Sequence, residues 1–273
     1  MTEHSDDYLL GTTEEELSRL GFQHDVWRAE AEHLWQLGGF KAGQSLLDLG
    51  CGPGFASLDL SQITGTSGHV HAIDAAGNYL DYLGHQLAES GIDNVSVQHG
   101  DVTHLDLEDA SIDGVFARWV FCFLPNPQEV VVEVQRVMRP GATLVIWDYF
   151  NYFSAGFFPK KGSVNNLFRA FQQSNIQRGG TYDIGGILPG LLVSHGFELV
   201  ALEPMCRAIR PGTPLWQWFV IFMDGFAPSL VEDGFLSDSE FEQIKREFAE
   251  ITEEPETFFF PPPQIGIVVR KPA

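Results

Sequence analysis

The sequence predicts an α/β domain built on a largely parallel sheet, and three observations carry that expectation. Short apolar segments that read as strands alternate with amphipathic segments that read as helices between residues 46 and 202. The first strand ends in an acid and runs directly into glycines at alternate positions, Asp48-Leu49-Gly50-Cys51-Gly52-Pro53-Gly54. An apolar run at 265–269 has no crossover helix immediately before it, so it is expected to enter antiparallel and complete a seven-stranded sheet with helices on both faces.

Residues 1–38 precede that pattern. Thr12-Thr13-Glu14-Glu15-Glu16 has the form of a capping box. Leu17 and Leu20 begin an apolar stripe, Gly21 is expected to interrupt it, and Val26, Trp27, Ala31, Leu34 and Trp35 resume it as a second helix ending at Gly38-Gly39. Residues 46–49 then read as a buried parallel strand. The glycines after it permit a sharp turn and close approach of a ligand to the backbone. The helix that begins at Phe55 leaves free N–H groups at that turn, so strand, loop and helix start form a nucleotide-type site.

His69-Val70-His71-Ala72-Ile73 is the second strand, and Asp74 closes it where a ribose diol would be hydrogen-bonded. Residues 77–90 form a helix, and Asn94 to His99 a third strand that delivers Gly100-Asp101. A fourth strand runs to Arg118, with residues 119–123 at its exit. A helix at 127–138 and a fifth strand at 142–148 follow. Two stretches then add aromatic residues that the sheet does not need, 151–180 and 206–256. Between them lie a helix at 188–195 and a sixth strand at 197–202.

Four of these stretches, taken together, resemble class I S-adenosylmethionine-dependent methyltransferases, in the branch similar to ubiquinone and menaquinone biosynthesis enzymes. They are the Asp48-to-Gly54 loop, Asp74, Gly100-Asp101-Val102, and Arg136-Val137-Met138-Arg139-Pro140-Gly141 with the strand after it. The resemblance implies a Rossmann-like fold and S-adenosyl-L-methionine as cofactor, with S-adenosyl-L-homocysteine as product. It implies that Asp48, Gly50, Cys51, Gly52 and Gly54 form the cofactor loop. Asp74 and Ala75 would meet the ribose, and Asp101 and Val102 the adenine. Arg118 would lie by the methionine end of the cofactor or bind an anionic substrate. Residues 1–38 are then a helical lid, 39–150 the cofactor core, and 151–273 the rest of the sheet with an aromatic-rich substrate cap.

Methyl transfer is an in-line displacement that depends chiefly on alignment. Asp148, Tyr149 and Tyr152 leave the fifth strand toward the acceptor side and are the candidates for general base or substrate orientation. Phe153, Trp216 and Phe219 are expected to complete the acceptor walls, which favours a flat or apolar metabolite. His24 is not expected to reach the acceptor. His69 and His71 form an i, i+2 pair with no third ligand signalled, so no metal is expected.

A net charge of −21 repels a phosphate backbone or an anionic membrane, which disfavours both as partners. Three widely spaced cysteines fit a reducing compartment, and the N-terminal residues lack the apolar core of a signal peptide, so a cytoplasmic monomer or homodimer is expected. Two other readings stay open: a nicotinamide-dependent oxidoreductase, against which Phe55 stands where a small residue is wanted, and a non-catalytic cofactor-binding module.

Overall fold

The computed structural model describes residues 14–159 and 162–273. The chain runs α1 (Glu14–Leu37), β1 (Ser45–Leu49), α2 (Phe55–Thr64), β2 (His69–Asp74), α3 (Gly77–Ser90), β3 (Val95–His99), β4 (Ile112–Arg118), α4 (Pro127–Val137) and β5 (Met138–Tyr149). It continues through β6 (Gly156–Phe158), α5 (Asn166–Gln177), α6 (Leu188–Ser194), β7 (Glu198–Met205), α7 (Pro214–Glu232), α8 (Asp238–Thr252), β8 (Phe258–Phe260) and β9 (Gln264–Arg270). Seven strands form one sheet in the order β3-β2-β1-β4-β5-β9-β7. The strands from β3 to β5 are parallel, and β9 runs antiparallel to both β5 and β7. The antiparallel closing strand follows from the absence of a crossover helix, as expected.

Strand order reverses at β1, which lies between β2 and β4. Loops leaving β1 and β4 therefore diverge to opposite faces and open a crevice at the carboxyl ends of the strands. The central strands are nearly continuous apolar runs because helices cover both faces.

One expectation is corrected here. Gly21 does not break the N-terminal helix, since α1 is continuous from Glu14 to Leu37. A Cβ at Gly21 would lie 3.2 Å from the Phe55 ring, so the missing side chain serves close packing of α1 on α2. The capping-box threonines lie outside the described residues. Phe258 to Phe260 is a strand paired antiparallel with Gly156 to Phe158 in a separate two-stranded sheet. That small sheet fastens the two aromatic insertions to each other.

The two halves of α1 do different things. Ala31, Leu34 and Trp35 are buried against the sheet, with Trp35 edge-on to Phe116 and the space beside Gly266 filled by Leu34. The first half turns toward α7, where Gln23 and Trp218 are hydrogen-bonded. Packing on the sheet and covering the crevice are thus both done by one helix.

Candidate functional site

The strand ends open into a single cavity of about 330 Å³. One end is lined by Asp48, Gly50, Cys51, Gly52, Asp74, Ala75, Val102 and Arg118. The other is lined by rings, among them Tyr149, Tyr152, Tyr182, Phe168, Trp218 and Phe219. Most of the residues singled out in the sequence are thereby brought to one place.

The glycine loop is held by backbone bonds and by one carboxylate. The N–H groups of Gly50 and Cys51 both donate to Ile73 O, at 2.8 and 3.0 Å. Asp74 Oδ2 accepts from the Gly52 N–H at 2.7 Å, and its Oδ1 from the Ala76 N–H at 2.9 Å. Asp74 is thus buried, at 6% exposure. Gly52 and Gly54 both have positive φ, but for different purposes. Nothing lies within 4 Å of a Cβ built on Gly52, which faces the cavity. A Cβ on Gly54 would meet Leu83 Cδ1 at 2.4 Å, and Gly54 is not part of the cavity wall. Gly54 shapes the loop from behind.

Asp48 is buried and its Oδ2 accepts from Ser57 Oγ at 2.5 Å. Burial pushes its carboxyl up to about 6, against the pull of Ser57 and Arg118. Burial likewise draws Arg118 down to about 10, while Asp48 and Asp59 oppose the shift. Arg118 lies over the Trp119 and Trp147 rings, at 5.0 and 5.8 Å, and its Nη2 is 3.2 Å from His24 Nδ1. Its Nη1 is buried with no hydrogen-bond partner among the described residues. The arginine is therefore an inward group and not a surface one. Asp101 is exposed, accepts the Thr103 N–H at 2.8 Å, and lies off the cavity wall that its neighbour Val102 lines.

The ring end is built differently. Tyr152 and Tyr182 stack at 4.5 Å, and Tyr149 meets them edge-on at 5.6 and 5.2 Å. Burial raises the pKa of all three phenols, so they stay protonated. Asp148, a candidate base in the sequence, is fully buried behind this wall and does not line the cavity. Its carboxylate accepts the N–H of Tyr149 at 2.8 Å and of Cys122 at 3.1 Å, and burial pushes it up to about 7. Those bonds fasten β5 to the turn after β4.

Two expected wall residues are elsewhere. Phe153 is 67% exposed, and Trp216 is packed among Phe157 and Phe248 inside the cap. Trp218, two positions on, takes the expected place because residues two apart on a helix point to nearly opposite faces. Phe219 lines the cavity as expected.

Sequence reasoning also passed over Arg19, Gln23 and Tyr182. Arg19 is buried on the cavity wall, its Nε and Nη2 on Glu16 at 2.7 and 2.6 Å and its Nη1 on Gln23 at 2.9 Å. The Arg19-Leu20-Gln23 spacing, a polar i, i+4 pair beside an apolar stripe, was the available signal. Tyr182 follows a Gly-Gly pair in a segment with no periodicity, which offered none.

Residues 47–146 match the family model described as a methyltransferase domain. The demethylmenaquinone methyltransferase of Lactococcus lactis is 34% identical over 123 residues, covering 45% of this chain and 48% of that protein. Methyltransferase GfsG of Streptomyces halstedii is 26% identical over 206 residues, 74% of this chain and 69% of that protein. A solved SAM-dependent methyltransferase from Aquifex aeolicus superposes with a TM-score of 0.52 at 22% identity, over 73% of this chain and 93% of that one. The chain spans about half the length of the demethylmenaquinone methyltransferases it matches.

Proposed function

We propose that this chain is a class I S-adenosylmethionine-dependent methyltransferase that methylates a small, apolar or aromatic metabolite, a reading supported by the match of residues 47–146 to a methyltransferase domain. The observation that carries this reading is the continuity of one cavity from the glycine loop and Asp74 to a wall of rings. The residues present suit the donor. Open space over Gly52 admits a ligand to the backbone, and the unpartnered Arg118 Nη1 calls for an anion. In this reading Asp74 and Ala75 take the ribose, Val102 and Asp101 the adenine side, and Asp48 with Arg118 the amino-acid end.

When bound, the donor supplies an electrophilic methyl on a positively charged sulfur. The protein's part is alignment, which for well-oriented pairs is equivalent to about 10⁵ M or more of reactant. Rings of the far wall exclude water and hold the acceptor flat. Tyr149 and Tyr152 orient it through hydroxyls that remain protonated, so they act as hydrogen-bond donors and not as bases. The Lactococcus lactis relative acts, by its name, on a demethylmenaquinone, which supports a small-molecule acceptor here. The charge of −21 weighs against nucleic acid. We assign residues 1–38 to a lid, 39–150 to donor binding and 151–273 to the cap and remaining sheet. Among the described residues no helix is long and apolar enough to cross a membrane. The free cysteines support a reducing, cytoplasmic setting.

Calorimetric titration with S-adenosylhomocysteine and, separately, NADH tests the donor. Binding of the first alone is expected, and binding of NADH alone would overturn the reading. Incubation with S-adenosylmethionine and a metabolite panel should give a product heavier by one methylene. A folded, donor-binding protein that methylates nothing across a broad panel would favour a binding module instead.

A further inference from the structure

Arg118 sits at the end of a chain of three side chains that leads away from the cavity. Its guanidinium Nη2 is 3.2 Å from Nδ1 of His24 on α1, and the opposite ring nitrogen, Nε2, is 2.9 Å from Asp59 Oδ2 on α2. A guanidinium has only donors to offer, so the contact is a hydrogen bond only if His24 Nδ1 carries a lone pair. The ring proton then sits on Nε2 and is donated to Asp59. Two neighbours thus select one neutral tautomer of His24.

The imidazole is almost completely enclosed, at 2% exposure, and lies against the Phe55 ring at 6.0 Å. It cannot turn to solvent without opening the α1–α2 contact. At the other end of the chain, Arg118 Nη1 is buried on the cavity wall without a partner among the described residues. Asp48, itself buried, lines the same cavity, and its charge acts on Arg118. A carboxylate and an unsatisfied guanidinium nitrogen on one cavity wall complement the ammonium and the carboxylate of an amino-acid group.

We infer that His24 is a positioning residue, whose unprotonated Nδ1 holds the Arg118 guanidinium so that Nη1 meets the carboxylate of the donor's amino-acid end. The inference rests on the reading of the cavity proposed above. Protonation of His24 would set one N–H against another, with two cations 3.2 Å apart. Arg118 would have to leave that position, and the carboxylate would lose its partner. The charged groups that face His24 are Asp59 from α2, Arg28 from α1 and Arg118 from the end of β4. Asp59 favours the imidazolium, and both arginines oppose it. Burial opposes it more, so His24 titrates below the ordinary imidazole range. Donor affinity is therefore full at neutral pH and falls as pH drops through that titration.

The test compares two ligands on the full chain by calorimetry, between about pH 5 and about pH 8. S-adenosylhomocysteine carries the amino-acid end, and 5′-methylthioadenosine lacks it. His24→Phe keeps the ring's bulk and removes its acceptor. It should weaken S-adenosylhomocysteine about tenfold or more while leaving 5′-methylthioadenosine nearly unchanged. The wild type should bind S-adenosylhomocysteine progressively less well at low pH, and His24→Phe should show a shallower fall, keeping only the part due to Asp48, whose carboxyl is raised to about 6. His24→Gln, whose carboxamide oxygen can accept from Arg118, should recover part of the affinity with the same shallower acid loss, and it carries the test if His24→Phe does not fold. Equal loss of both ligands would mean His24 only packs the helix, and unchanged S-adenosylhomocysteine affinity would overturn the inference. A wild type that binds neither ligand would instead overturn the reading of the cavity.

Discussion

The two ends of the cavity are made by different means. At the glycine loop the shape is a property of the backbone: positive-φ glycines, a carbonyl taking two N–H groups, and a carboxylate tying Gly52 to Ala76. At the cap the shape belongs to side chains. Phe157 alone touches the rings of Phe168, Trp216, Phe219, Phe248 and Phe259, with centroids 4.7 to 6.0 Å apart. A wall of the first kind tolerates almost no change in the chain that makes it. A wall of the second kind tolerates many, provided that volume is conserved.

The sharpest test removes a ring that supports the cap without facing the cavity. Trp216→Ala should destabilise the protein by about 3–5 kcal/mol, as expected for truncating a large buried aromatic residue. S-adenosylhomocysteine affinity should hold in whatever fraction remains folded, as read by denaturant melts with and without the ligand. An equal loss of donor binding would show that the two ends are one unit. Next in size is the converse change, Gly54→Ala. Left-handed backbone strain and the clash with buried Leu83 together cost about 2–4 kcal/mol. Gly52→Ala has open space around it and should cost only about 1–2 kcal/mol, the strain alone. Thermal midpoints of the pair would decide whether the loop is shaped from behind, as its contacts indicate.

Asp74→Asn should weaken S-adenosylhomocysteine about ten- to a hundredfold. Unlike a carboxylate, an amide offers one oxygen where two backbone N–H groups are waiting, so some stability goes with the affinity. Unchanged calorimetric affinity in this variant would move the ribose elsewhere. The last test concerns pH. Asp148 has an ordinary value of 3.8 and is raised to about 7 in the fold, so the native state holds a proton that the unfolded chain releases. Its contribution to stability is present below about pH 4 and lost as pH rises through about 7. Asp148→Asn should remove that decline from a plot of midpoint against pH, leaving a smaller one from Asp48. A slope unaltered by the substitution would mean the carboxyl is ionised throughout.

The same contrast explains what could be read in advance. Backbone-made features leave a trace in residue type, since few residues other than glycine suit the turn at Gly52 and Gly54, and an acid at the end of β2 has few other uses. The reversed β9 was legible for a similar reason, the absence of a crossover helix immediately before it. Packing leaves no comparable trace. Trp216 and Trp218 look alike in sequence, and only the rotation of α7 against its neighbours puts one in the cap core and the other on the cavity. Gly21 misled because a glycine that lets two helices touch is written the same way as one that ends a helix. His24 carried no signal at all, since its partners come from α2 and from the end of β4.

The position of β9 has a consequence for how the chain is made. It lies between β5 and β7, and no other strand of the sheet pairs with β7. During synthesis β7 is therefore left without a neighbour until residues 264–270 have emerged, after the whole of α7 and α8. Its Leu199, Val200 and Leu202, still 43–45% exposed in the finished fold, wait through that interval on an unpaired strand. Contacts between β5 and β9 also join residues more than a hundred positions apart, which slows their formation. The nascent chain thus passes through a stage in which the glycine loop and its five parallel strands can be in place while a sticky strand stands open beside them. That is the stage at which a chaperone would have something to hold.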